Sequence, residues 1–168
     1  MARWERLPTQ IRSLLDGEKV LAWGHWQASR VESGYAVATA RALHLIKPDA
    51  DPTVIPWDSV VRATWDEPFA DLVVQPVPGG PSIRSSITLP VPGRVPEAIR
   101  DRVTANIVHS TYVELTDQGG ARLIARRTYG SPELRWAVVF DAGLDPSDPG
   151  LRARAESELA TLRSLLGA

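Results

Sequence analysis

The side chains of this chain that could do chemistry are three histidines, two groups of carboxylates and one group of arginines. His25, His44 and His109 each lack a ligand partner at i+4, so no pair of imidazoles is preset on one helix face for a metal. A structural role suits each; His109, read as ending a helix, gains dipole stabilisation there when charged. There is no Cys, which removes disulfides, thiolate catalysis and Cys-based zinc or iron–sulfur sites. No G-x-S-x-G, S-x-x-K, G-x-x-x-x-G-K or G-x-G-x-x-G occurs, so neither a nucleophile elbow nor a phosphate cradle is written locally. The expectation is therefore no catalytic residue, no metal and no cofactor, with a triad assembled from distant residues left open.

Carboxylates gather twice. Asp49, Asp51, Asp58, Asp66, Glu67 and Asp71 dominate the charge between Lys47 and Asp71, while Asp141, Asp145 and Asp148 share a Pro/Gly loop. Oxygen-rich loops can hold divalent cations, but the spacing fits no EF-hand, and solvated turns and helix caps explain both groups.

The arginines carry more geometric meaning. Arg122, Arg126 and Arg135 should share the outward face of a terminal β-meander, with Arg127 beside them and Arg100 and Arg102 on the preceding helix. Such a face could clamp a phosphate, an acidic peptide or an anionic lipid. Alternatively Glu114, Glu133 and Asp141 pair with the arginines as a cross-strand ladder, each pair contributing about 0.2–1 kcal/mol. If the face is a site, replacing Arg126 and Arg135 with Ala leaves the melting temperature nearly unchanged and abolishes capture of a partner.

The elements that must position these groups follow from periodicity. Leu7, Ile11, Leu14 and Leu15 fall at helical spacing, closed by Asp16-Gly17. Strand patterns follow at 19–26, 35–39, 42–47, 54–66, 72–77 and 82–89, with turns at Ala40-Arg41 and Pro78-Gly79-Gly80-Pro81. Val95, Ile99, Val103 and Ile107 return to helical spacing through about His109. Three strands at 112–115, 122–127 and 134–140 come next, with Leu134, Trp136, Val138 and Phe140 as the buried row. A last helix carries Leu151, Ala155, Leu159, Leu162 and Leu166, capped by Ser147 or Asp148 and stopped by Gly167. Tight turns with no helix before residue 95 favour antiparallel pairing. The best boundary, at Pro90–Pro96, divides 1–92 from 93–168, or lies as a loop within one unit.

Length and composition agree with a soluble fold. The 168 residues are 43% apolar, with net charge −1, and a chain of this size typically buries about 68–70% of its unfolded surface. The balanced charge argues against a general nucleic-acid binder. No window approaches a membrane span and no apolar signal core follows the first residues, so a cytoplasmic location is the default expectation. Arg outnumbers Lys by 17 to 2, which points to a GC-rich coding genome. Six tryptophans, Trp4, Trp23, Trp26, Trp57, Trp65 and Trp136, suit β-rich cores or interface hot spots.

Three segments carry a family resemblance: 16–22 (DGEKVLA), 37–45 (VATARALHL) and 55–60 (IPWDSV). They resemble the bacterial PH-like, GRAM-related domains, departing from the pattern at Ala40 and in the single basic residue of Arg41-Ala42. The Arg/Trp-rich remainder has the style of actinobacterial proteins. The fold this resemblance implies is α+β: an antiparallel PH-like β-barrel or sandwich capped by a helix, here followed by a three-stranded antiparallel meander and a C-terminal helix. Read without the family, the middle segment is a hairpin in which the Thr39 hydroxyl ties the turn. The function expected is a non-enzymatic module that binds a protein partner or its own copy. The alternatives are an enzyme or small-ligand binder for an anionic substrate at the Arg-rich cleft, and a peripheral anionic-lipid binder.

Overall fold

In the computed structural model, which describes residues 6–77 and 81–167, the first apolar stripe forms a short helix, α1 (Thr9–Ser13). Trp4 and the turn residues Pro78, Gly79 and Gly80 lie outside the described residues. Seven strands follow: β1 (Val20–Gln27), β2 (Ser33–Thr39), β3 (Ala42–Ile46), β4 (Thr53–Pro56), β5 (Val60–Asp66), β6 (Phe69–Val74) and β7 (Ile83–Val91). Helix α2 (Val95–Ala105) leads to β8 (Ile107–Thr116), β9 (Gly119–Arg127) and β10 (Leu134–Phe140), and α3 (Pro149–Leu166) ends the chain. The architecture is α+β, with two antiparallel sheets. The larger has the order β4-β3-β2-β1-β7-β6-β5 and the smaller β10-β9-β8.

The hairpin at Ala40-Arg41 forms for the reason its sequence implies. Thr39 Oγ1 accepts the backbone N–H groups of Arg41 and Ala42 and donates to the Ala42 carbonyl, tying the reversal on both sides. Beneath it lies Trp57, almost fully buried, whose indole Nε1 donates to the Thr39 carbonyl at 2.8 Å. Its backbone N–H donates to Arg41 O at 3.1 Å. These bonds overturn one expectation. The pattern over 54–66 reads as one strand, yet Trp57–Ser59 is a 3-10 turn, fixed further by Ser59 Oγ donating to Pro56 O at 2.6 Å. The turn sends β4 and β5 to opposite edges of the sheet, so seven strands stand where six were expected.

All seven strands and α2 contribute to one core. Ala22, Ala38, Leu43, Ile55, Val60, Leu72 and Leu89 meet Val95, Ile99 and Val103, which form the buried stripe of α2. On the other face of β1–β3, Val37 and Ile46 pack with Leu7 and Leu15, which flank α1. The loop after β7 crosses β1 so closely that a Cβ on Gly24 would lie 2.5 Å from Pro92 O. Any larger residue there must displace backbone.

The helical spacing of Val95, Ile99 and Val103 does not extend to Ile107. Helix α2 ends at Ala105, with Asn106 as C-cap, and Ile107 and His109 belong to β8. Thus His109 sits on a strand, not at a helix terminus. The physical reason is the β-branched run Ile107, Val108, Thr111 and Val113, which favours a pleated surface and finds β9 to pair with. Asp148 caps α3 as expected, accepting from Gly150 and Leu151 N–H groups, and Gly167 closes it at φ 70°. Ala155 and Leu151 pack on Leu115, Ala121, Val138 and Phe140, whereas Leu166 at the far end of the stripe is 45% exposed. No helix among the described residues is long and apolar enough to cross a membrane.

Because the Trp57 indole, itself buried, donates to the buried Thr39 carbonyl, Trp57→Phe should lose about 1–3 kcal/mol of stability. Urea denaturation checks this, and a loss below a few tenths would mean the bond is not structural.

Candidate functional site

The arginine face forms in register. Arg135 stands directly opposite Arg126, and Arg122 lies two pleats along β9 on the same side. Alternation puts Arg127 on the opposite face, where it is exposed. Where the face points is not as expected. Alternation alone points it outward, but its proximal half is pressed onto the larger sheet and α2, and Arg126 is only 2% exposed.

Each buried guanidinium there has backbone to satisfy. Arg126 Nη1 donates to Val103 O at 2.7 Å and Nη2 to Val61 O at 3.0 Å. Val103 lies in the last turn of α2, where carbonyls have no helical partner, and Val61 lies at a register shift in β5. Arg126 thus serves two carbonyls that regular secondary structure leaves over. Arg135 Nη2 donates to the carbonyls of Gln75 and Pro76, and its Nη1 lies 3.9 Å from Asp58 Oδ2. Thr128 Oγ1 donates to the same Asp58 oxygen at 2.8 Å. Burial pulls the Arg126 guanidinium down to about 10, with the Asp58 carboxylate opposing that shift, so at neutral pH it is charged. Arg41 stacks over the Tyr129 ring at 5.6 Å and adds a further contact between the β2–β3 and β9–β10 turns.

The remaining arginines of the expected patch do not converge. Arg122 is exposed on the distal half of the face and donates to Ser110 Oγ at 3.3 Å; Arg100 and Arg102 lie on α2, exposed and half-buried. The expected ladder with Glu114, Glu133 and Asp141 has no ion pair within 4.0 Å among the described residues. Asp141 instead accepts the Tyr112 hydroxyl at 2.6 Å and the Gly120 N–H at 2.9 Å, tying β10 across β9 to β8. A Cβ on Gly119 would meet Asp141 Oδ2, and with φ at +148° this position is built for glycine. Asp145 is held by Ser147, so the carboxylates of this loop have structural occupations.

The histidines are dispersed. His25 joins an aromatic group with Trp23 and Tyr35, ring centroids 5.4–5.9 Å apart. His44 is buried on β3, its Nε2 3.7 Å from Glu18 Oε2. His109 is half-buried on β8.

One feature escaped the sequence reading: the outer edge of β8. Four strands border the sheets' free edges, and β8, with ten residues, is longer than β4, β5 and β10. Its run Ile107–Thr116 contains no Lys, Arg or Pro to blunt it, and Glu114 is its only acidic residue. The register shifts lie at its ends, leaving His109–Glu114 regularly paired. The Gly120 carbonyl accepts from the N–H of Asp141, which directly follows β10, and the Gly120 N–H donates to the Asp141 carboxylate, so the Gly120 peptide groups face away from β8. Its cross-strand neighbour Glu114 therefore points its own N–H and C=O to the free side, and by alternation so do Tyr112 and Ser110. Ile107, Val108 and Tyr112 are each 38–47% exposed along this edge. The signal available in the sequence was the long β-branched run without a gatekeeper.

No family model, no curated protein and no solved structure matches the chain.

Replacing Arg126 with Met removes the donor from two buried carbonyls, at about 1–3 kcal/mol each, so roughly 2–6 kcal/mol of stability should be lost. Exposed Arg122→Met should stay within about 0.5 kcal/mol. Equal melting temperatures for the two variants would restore the expectation of an open arginine face. The Gly120 N–H, and after it the Tyr112 hydroxyl, hold the Asp141 carboxyl below its ordinary 3.8, while the bond to Asp141 raises the Tyr112 phenol above 10.0. The carboxylate's contribution is present above 3.8 and lost as pH falls through its lowered value; the phenol's is present below 10.0 and lost as pH rises through its raised value. Asp141→Asn should therefore flatten both limbs of a melting-temperature profile against pH, and unchanged limbs would contradict that assignment.

Proposed function

We propose that the chain is a non-enzymatic interaction module, a PH-like β scaffold that binds a protein partner or its own copy through a sheet edge. The observation that carries this reading is the free edge of β8, with the peptide groups of Ser110, Tyr112 and Glu114 directed outward beside exposed Ile107 and Val108. Such an edge is a template for an added strand, in which backbone bonds supply affinity and flanking side chains supply selectivity. The strand order of the larger sheet and the helix that follows β7 support the PH-like part of the proposal.

The rival reading, an anionic-ligand cleft, needs guanidinium groups that converge on one point. Arg126 and Arg135 are committed to carbonyls, Arg122 and Arg127 lie on opposite faces of β9, and Arg100 and Arg102, two residues apart on α2, share no face. Affinity capture from the native cell followed by mass spectrometry tests the choice. Wild-type chain should retain a defined protein set, its own copies included, that Ser110→Pro loses while keeping the same melting temperature. Retention of the same proteins by both chains would reject the edge as the binding surface.

A further inference from the structure

Resting on the edge-binding reading, we infer that the strand added to β8 is β8 of a second copy of this chain, antiparallel about a twofold axis at Tyr112, giving one continuous six-stranded sheet. Two identical antiparallel strands related by a twofold keep the same side chains on the same face, and each residue meets a fixed counterpart. With the axis at Tyr112, Tyr112 pairs with its own copy, Ser110 meets Glu114 and Thr111 meets Val113. Nearly the whole of β8 is then matched, from Val108 opposite Thr116 inward. Ser110, Tyr112 and Glu114 are the residues whose N–H and C=O already point outward, so this register closes hydrogen-bonded pairs at all three.

Charge selects the same register. Glu114 makes no hydrogen bond or ion pair among the described residues. Arg122, on the same face of β9, leans toward the first half of β8, where its Nη1 bonds Ser110 Oγ at 3.3 Å. Side chains directly opposite across an antiparallel pair lie about 5 Å apart at Cβ, so a second copy's Glu114 set against Ser110 brings its carboxylate to this Arg122. The contact repeats by symmetry. A strand that is basic behind one half and acidic in the other is complementary to its own reversed copy, whereas an unrelated strand would have to supply both charges in that order.

Sedimentation velocity on the full chain, with titration to the highest soluble concentration, reads this directly. Wild type should move from the 18.4 kDa monomer to twice that mass. Ser110→Pro removes an outward N–H without touching the ladder to β9, so the dimer should disappear while far-UV circular dichroism and melting of the monomer stay as in wild type. Glu114→Arg alone and Arg122→Glu alone should each weaken dimerisation by about tenfold or more, and the double exchange should restore it, since two cross-strand pairs change from attraction to repulsion and back. A wild-type monomer at every concentration overturns the inference, as does a dimer that survives Ser110→Pro or a double exchange without rescue. If wild type is monomeric, captured proteins lost on Ser110→Pro would still uphold the edge-binding reading, and capture unaffected by that change would end it too.

Discussion

A carbonyl left over where regular secondary structure stops must find a donor or remain in contact with water. That constraint governs how the two sheets of this protein meet. Val103 ends a helix and Val61 sits where the pairing of β5 shifts, and both carbonyls are turned toward the small sheet. A hydroxyl or an indole, each with a single donor, could serve only one of them. A guanidinium, with its fork of donors, serves both, and Arg126 reaches them from β9 while remaining charged. The cost of burying that charge is offset by the two carbonyls and by the field of Asp58, itself held by Thr128.

Once this junction is fixed, the two faces of the β8–β10 sheet acquire different fates. One face splits into a proximal half closed on the larger sheet and a distal half carrying Ser110, Tyr112, Glu114 and Arg122 toward solvent. The other is covered by α3, where Ala155 packs on Ala121 and Arg163 stacks over Trp136 at 5.5 Å. Among the described residues no strand pairs with the outer edge of β8, although Arg154 Nη1 donates to the Leu115 carbonyl near its end. Arg126 and Arg135 are committed to backbone carbonyls that join the two sheets, and the proposed binding edge lies on β8 of the sheet they anchor.

Much of this was legible in the sequence because it is local. The Thr39 turn, the Asp148 cap, the stripe of α2 and the common face of Arg122, Arg126 and Arg135 depend on neighbours or on the period of a strand. Other features depend on contacts distant in the chain. The break at Trp57 needs the carbonyl of Thr39, and the end of α2 needs β9 to pair with Ile107. Alternation states that three arginines share a side, but only docking of one sheet on the other decides whether that side is wet. An arginine is expected outside on composition alone, and here two orphaned carbonyls outweigh that preference.

Arg126 couples the two sheets, and hydrogen exchange of backbone amides tests that coupling most directly. In wild type, the paired amides of β5 and β9 should open together with one free energy. In Arg126→Met, the β8–β10 amides should exchange markedly faster than those of β1–β3, whose opening stays slow. Equal acceleration in both sheets, or none in β9, would contradict the claim that this side chain joins them.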